Sequence, residues 1–211
     1  MEWKTSMIHN NTDANPAPLG LMGFGMSTVL LNLHNAQIVP MGSAIMATGL
    51  VFGGLTQFIA GVMEYGNRNT FGMTAFMAYG AFWISLAMLL FLPQWGLMPA
   101  SSPALMGGYL WLWALFTAIM AVGSLVASRM HQVVFFSLTL LFVLLGSAAV
   151  LNRPMLDVIA GYEGLLCGFS AIYLAASEIL AAQFGHAVLP VGWPRTTGDA
   201  PHKDDLVLHI S

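Results

Sequence analysis

The chain alternates between long apolar stretches and short polar interruptions. Each apolar stretch is close to the roughly 20 residues that a helix needs to cross a bilayer. The pattern predicts six spanning helices: Pro16–Gln37, Gly42–Glu64, Phe71–Leu92, Ala104–Ser128, Gln132–Leu151 and Met155–Gln183. Proline, glycine and polar residues mark the cuts. Pro40 and Gly42 end the first span, "EYGNRNTFG" divides the second from the third, "PQWGLMPASSP" the third from the fourth, and "NRP" the fifth from the sixth. The expected architecture is therefore all-α and membrane-integral, as one transport domain over residues 16–185. Polar segments at 1–15 and 186–211 flank it.

Polar positions inside the spans follow helical spacing. Thr28, Asn32 and Asn35 fall at i, i+4 and i+7, on one face of the first span. Gly53, Gln57, Ala60 and Glu64 do the same on the second. Polar groups in lipid are costly unless they face protein or water. Two such stripes on neighbouring helices predict either a water-accessible seam or interhelical hydrogen bonding. Gly49/Gly53 and Gly164/Gly168 are spaced four apart, which predicts close helix packing.

Composition supports the membrane reading. Of 211 residues, 57% are hydrophobic and only 7% charged, against about 25% charged in soluble domains. Lys4, Arg68, Arg129, Arg195 and Lys203 would lie on one side of the six-span topology and Arg153 alone on the other. Positive charge concentrates on the cytoplasmic side, so both termini are expected there. One cysteine, Cys167, gives no disulfide framework, and the polar opening residues lack a signal-peptide core.

Enzyme chemistry is poorly supported. His34 and His131 are predicted at opposite membrane faces and cannot share a metal or haem within one protomer. Glu163 and Glu178 lie about 22 Å apart along one helix, too far for a carboxylate pair working within about 10 Å. No HExxH, phosphate-binding loop or GxSxG motif occurs. No metal and no cofactor is expected. Glu64 is read as a surface ion pair with Arg68, and Asp157 as one with Arg153. Glu163 and Glu178 are candidate proton sites, with snorkelling to an interface as the alternative for each.

The stretch "NPAPLGL" opens the first span. Asn15 suits an N-cap, and Pro16 and Pro18 fall where a missing N–H costs least. Remaining first-turn N–H groups would be free to attract an anion. This stretch, read on through "MGFGMSTVLLNLHN", resembles the opening of the acetate uptake transporter family. That family contains bacterial succinate–acetate permeases and fungal acetate and ammonia-export relatives. "NTFGMTAF" with "YGAFW", "QVVFFSLTLLF", and "CGFSAIYLAASEIL" with "QFGHAVLP" carry the resemblance through to about Pro190.

The resemblance implies six helices per protomer and a homo-hexamer in the cytoplasmic membrane, with one solute path in each protomer. Expected substrates are acetate and related short carboxylates, including succinate, through an anion channel or a proton-coupled transporter. It also implies a hydrophobic constriction at Phe24, Tyr79 and Leu138, with Ala171 setting room for larger acids. Span arithmetic agrees on their level, since each lies about 10–12 Å in from the same membrane face. Gln57 reaches that level from the second span. Thr28, Asn32, Asn35 and Gln57 are the candidate polar lining, and Asn15, Pro16 and Pro18 the candidate entrance. Low charge along the seam also admits ammonia or a small neutral solute. Three features depart from the bacterial pattern: Glu163 at an apolar position, Phe169 at a small one, and a longer tail.

Overall fold

The computed structural model describes residues 14–192, and the readings made on residues 1–13 and 193–211 lie outside it. Among the described residues the secondary structure is entirely helical. Six helices of 19 residues or more run antiparallel: α1 (Ala17–Asn35), α2 (Ser43–Gly66), α3 (Thr70–Gln94), α4 (Pro103–Gly123), α5 (Arg129–Leu151) and α6 (Pro154–Phe184). Five of them, all but α1, are long and apolar enough to cross a membrane. α1 carries Ser27, Thr28, Asn32, His34 and Asn35 and is the less apolar exception.

Helix ends follow their capping residues. Asn69 caps α3 by accepting from the Gly72 N–H at 2.9 Å. Ser102 caps α4 ahead of Pro103. Ser128 caps α5 and starts it at Arg129, earlier than the expected Gln132, because its hydroxyl accepts from the His131 N–H. α4 tightens at its end into a 3₁₀ turn, Ser124–Val126. α6 stops at Gly185, whose φ of +71° suits glycine.

α2 is not a plain α-helix. Gly49–Thr56 widens into a π-helical segment between α-helical ends. The Thr56 hydroxyl donates to the Val51 carbonyl at 3.0 Å within it. Such widened turns occur mostly inside helices and often beside functional positions. Here the segment ends at Thr56, directly before the buried Gln57.

Small residues bring the backbones together. Gly161, Gly164 and Gly168 of α6 lie against Ala36, Asn32 and Val29 of α1. Gly53 of α2 contacts Ser27 of α1 and Trp83 of α3, while Gly49 lies on the Trp83 ring. Both glycine pairs singled out in the sequence are therefore packing sites. α3 and α4 approach differently, through aromatic rings and hydroxyl ties. Phe82 meets Trp113 edge-on at 5.2 Å, and Ser85 Oγ and the Tyr109 hydroxyl share a hydrogen bond of 2.6 Å.

The two ends of the described chain meet at one end of the bundle, called here the shared end. Asn15 Nδ2 donates to Glu178 Oε2 at 3.4 Å, and the Arg129 N–H donates to the Gly192 carbonyl at 2.8 Å. Large apolar residues cover much of the outer surface, including Val51, Leu55, Ile59 and Val62 on α2 and Leu112, Leu115 and Ile119 on α4. That surface suits hydrocarbon and not water.

A β-carbon at Gly164 would fall inside the Asn32 side chain, whereas one at Gly108 meets nothing within 4 Å. Gly164→Ala should lower thermal stability in detergent by about 1–3 kcal/mol. Gly108→Ala should leave it unchanged or slightly raised. Equal melting curves for the two variants would contradict this packing of α1 on α6.

Candidate functional site

The interior of the bundle is organised around Tyr79 on α3. Its ring lies 5.8 Å from Phe24 of α1, 5.5 Å from Phe116 of α4 and 6.4 Å from Phe135 of α5. Leu138, one turn beyond Phe135, belongs to the same buried cluster, as does Ala171 of α6. Phe24, Tyr79 and Leu138 are only 5%, 3% and 3% exposed. The structure thus places Phe24 against Tyr79 and buries Leu138 in the same core.

The Tyr79 hydroxyl is already engaged. It donates to Thr117 Oγ1 at 3.1 Å, and Thr117 donates in turn to the Trp113 carbonyl at 2.7 Å. This relay ties α3 to α4 and fixes the ring. Sequence reasoning missed Thr117, because a lone threonine in an apolar span usually bonds back to its own helix, as this one also does.

Most of the two polar stripes is buried: Thr28, Asn32, Gln57 and Glu64 are covered, and Asn35 is half-buried. Asn32 is fully covered, with Nδ2 donating to the Thr28 carbonyl at 2.9 Å and Oδ1 accepting from Asn35 Nδ2 at 3.1 Å. Asn32 packs on Gly164, so this ladder belongs to the α1–α6 contact. Thr28 and Gln57 behave differently. Thr28 Oγ1 and Gln57 Oε1 are sealed from solvent without a hydrogen-bond partner among the described residues, and so is Trp83 Nε1. Their carriers meet at Gly53. It lies one turn before Gln57 and touches both Trp83 and Ser27, the neighbour of Thr28. Gly61, one turn after Gln57, touches Phe76 and Met77, while Gly80 lies against Gly54 and Phe58. These contacts bracket Gln57 at the level of Tyr79. An unsatisfied buried polar group costs about 1–3 kcal/mol, so each of these three atoms weighs against the closed fold. Trp83 lies in the "YGAFW" block, yet nothing in the sequence set its indole N–H apart from other membrane tryptophans.

The expected entrance is built, but its donors are occupied. The helix begins one residue later than expected, with Pro16 at the cap position. Asn15 Oδ1 accepts from the Ala17 N–H at 3.0 Å. The Leu19 and Gly20 N–H groups both donate to the Pro16 carbonyl, and Pro18 has no N–H. No first-turn N–H is left for an anion, and Glu178 sits directly on Asn15.

The acidic residues also move from their expected places. Glu64 is 1% exposed and takes a hydrogen bond from Asn69 Nδ2 at 3.1 Å. It makes no ion pair with Arg68, whose φ of +58° turns the chain at that point. Asp157 is half-buried and unpaired with Arg153. Glu178 Oε1 lies 4.0 Å from His131 Nε2, a contact that is an ion pair only when the imidazole is protonated. Glu163, half-buried, accepts a short hydrogen bond from Ser137 of α5, and its Oε2 is enclosed without a partner. Glu163 and Glu178 therefore join different neighbours at different depths. No group of three His, Cys, Asp or Glu side chains suited to a metal occurs among the described residues.

Thr117→Val should strand the Tyr79 hydroxyl and destabilise the protein by about 1–3 kcal/mol. Thr117→Ser should retain the relay and most of the stability. A valine variant that melts with the wild type would contradict the relay.

Comparison with known proteins places these features. The family model described as GPR1/FUN34/yaaH matches residues 2–193. The chain is 50% identical over 183 residues to the succinate-acetate/proton symporter SatP of Escherichia coli (strain K12), covering 87% of this chain and 97% of that one. It is 34% identical over 196 residues to acetate permease A of Emericella nidulans, covering 84% and 65%. It is 34% identical over 178 residues to ammonia transport outward protein 2 of Saccharomyces cerevisiae, covering 81% and 63%. Among solved structures, that of the bacterial acetate channel SatP superposes with a TM-score of 0.84 at 50% identity, covering 85% of this chain and 99% of that one.

Proposed function

The chain belongs to the GPR1/FUN34/yaaH family, and we propose that it passes acetate and similar short monocarboxylates through the interior of each protomer. It is a multi-pass protein of the inner membrane, and a transport protein, not an enzyme. In this reading α1 is the sixth span. Both described chain ends face the cytoplasm, in keeping with Arg68 and Arg129 at the shared end and Arg153 at the other. Six protomers assemble, each with its own path.

The observation that carries the reading is the buried cluster that holds Phe24, Tyr79, Leu138 and Trp83, together with the unpartnered buried polar atoms of Thr28, Gln57 and Trp83. Acetate has one methyl and one carboxylate. The methyl fits among the rings, where a hydrated inorganic ion would lose its water without replacement. The carboxylate needs donors. Trp83 Nε1 is a donor only, the Thr28 hydroxyl can donate, and the Gln57 amide can turn its NH₂ group or its oxygen to the ligand. Tyr79 contributes its ring face, its hydroxyl being held by Thr117. Passage requires the closed ring to part, with Asn15, Pro16 and Pro18 holding the start of α1 at the cytoplasmic mouth. Ala171, fully buried, leaves room that a larger side chain would remove. Glu163 on α6 disfavours succinate when ionised and serves as a proton site when neutral.

The relatives include a protein named as a proton symporter and a structure described as a channel. Acetate flux under a pH gradient at fixed voltage separates these for this chain: concentrative uptake means proton coupling, and passive equilibration means a channel. A second reading, ammonia or a small neutral solute, is favoured by the lack of any Lys or Arg beside the ring and by the ammonia-named relative. Competition separates it, because unlabelled acetate inhibits labelled acetate uptake and urea or ammonia does not.

Labelled acetate should enter proteoliposomes above the empty-liposome rate, and no excess with folded protein present would end the proposal. Gln57→Leu should raise the half-saturating acetate concentration by about ten- to a hundredfold, the equivalent of about 1.5–3 kcal/mol for a hydrogen bond to a charged group. Phe24→Ala should admit longer monocarboxylates. Unchanged size selection would remove Phe24 from the constriction.

A further inference from the structure

Glu64 is buried far more deeply than its place in the last turn of α2 requires. Its Oε2 accepts from Asn69 Nδ2 at 3.1 Å, the Asn67 side chain is a second neutral donor close by, and Oε1 is sealed from solvent without a well-formed hydrogen bond among the described residues. Gly72 makes the room: a β-carbon there would lie 3.1 Å from the Glu64 carboxyl carbon. Asn69 is itself locked, accepting from the Gly72 N–H at 2.9 Å and donating its own N–H to the Glu64 carbonyl at 3.1 Å. Carboxyl and helix cap form one unit.

The charges around it do not neutralise a carboxylate. α6 supplies Glu178, within electrostatic reach and already shared between Asn15 of α1 and His131 of α5. α5 also carries Arg129, which donates to Gln132 Oε1 at 2.8 Å. α3 offers the neutral Asn69 and Thr70. In the turn after α2, Arg68 makes no ion pair with Glu64. A buried carboxylate without a cation costs several kcal/mol, and a second acid nearby adds repulsion. The neutral carboxyl removes both costs.

We propose that Glu64 is a proton-binding site of the transport cycle, holding its proton in the closed conformation and exchanging it at the shared end. A surface recess lined by Tyr65, Arg68, Asn69, Thr70 and Met73 reaches Asn69, the residue that holds the Glu64 carboxyl, and proton exchange would pass by way of Asn69. In the exchange the carboxyl O–H bond breaks, its electron pair stays on the carboxylate, and the proton passes to water. The assignment to the cycle rests on the reading that this chain passes a carboxylate.

The test uses full-length wild type and Glu64→Gln in proteoliposomes. Labelled-acetate exchange at equal pH reports the path, and accumulation under a pH gradient at clamped voltage reports coupling. Glu64→Gln should keep exchange and lose accumulation. Accumulation that survives in Glu64→Gln, or that is absent from the wild type, overturns the role in the cycle. A wild type without exchange overturns the transport reading itself, and infrared spectroscopy still decides Glu64. The carbonyl stretch of buried protonated carboxyls should lose intensity in Glu64→Gln relative to the wild type. An undiminished band in Glu64→Gln overturns the site. Should that variant fail to fold, the triple variant Asp157→Asn/Glu163→Gln/Glu178→Gln must keep a band, and its complete loss overturns the assignment.

Discussion

In a bundle surrounded by hydrocarbon, every interior polar group must find its partner inside the protein. The rest of this structure follows from that constraint. Asn32 meets it by bonding the Thr28 carbonyl and Asn35, which lets α1 lie flat on the glycines of α6. Thr117 meets it twice, holding Tyr79 and its own helix. Thr28, Gln57 and Trp83 do not meet it among the described residues. The satisfied groups hold the helices, and the unsatisfied ones are where we propose that a ligand binds.

Glycine positions and the widened turn of α2 work together. Gly49, Gly53 and Gly54 let α1 and α3 approach α2, and the π-helical segment over the same residues re-aims the face that follows. Gln57 arrives at the level of Tyr79 as a result. A regular helix through the segment would rotate everything after it, including Gln57, Ala60 and Glu64, which all lie buried on one face.

The helices were legible in the sequence because a bilayer fixes their length, and prolines, glycines and capping serines fix their ends. The shared level of Phe24 and Tyr79 was legible for the same reason. Facing was less so. The i, i+4, i+7 rule grouped Thr28, Asn32 and Asn35, but their partners lie on helices distant in sequence, and Asn32 and Asn35 went to α6 packing. Glu64 shows the limit most clearly. Its sequence neighbour Arg68 suggested a surface pair, yet a left-handed turn at Arg68 and the space beside Gly72 send the carboxyl inward. The free N–H groups expected at "NPAPLGL" were likewise lost to local turns that only coordinates reveal.

The central claim is that a short carboxylate sits beside the ring, held by the groups that lack protein partners. Bromoacetate carries the same carboxylate and an anomalous scatterer in place of one methyl hydrogen. A crystal of the protein soaked with it provides the most direct measurement. The account predicts a bromine peak among Phe24, Tyr79 and Leu138, with the carboxylate toward Gln57 and Trp83. Bromine found only on the outer surface, at concentrations that saturate uptake, would contradict it.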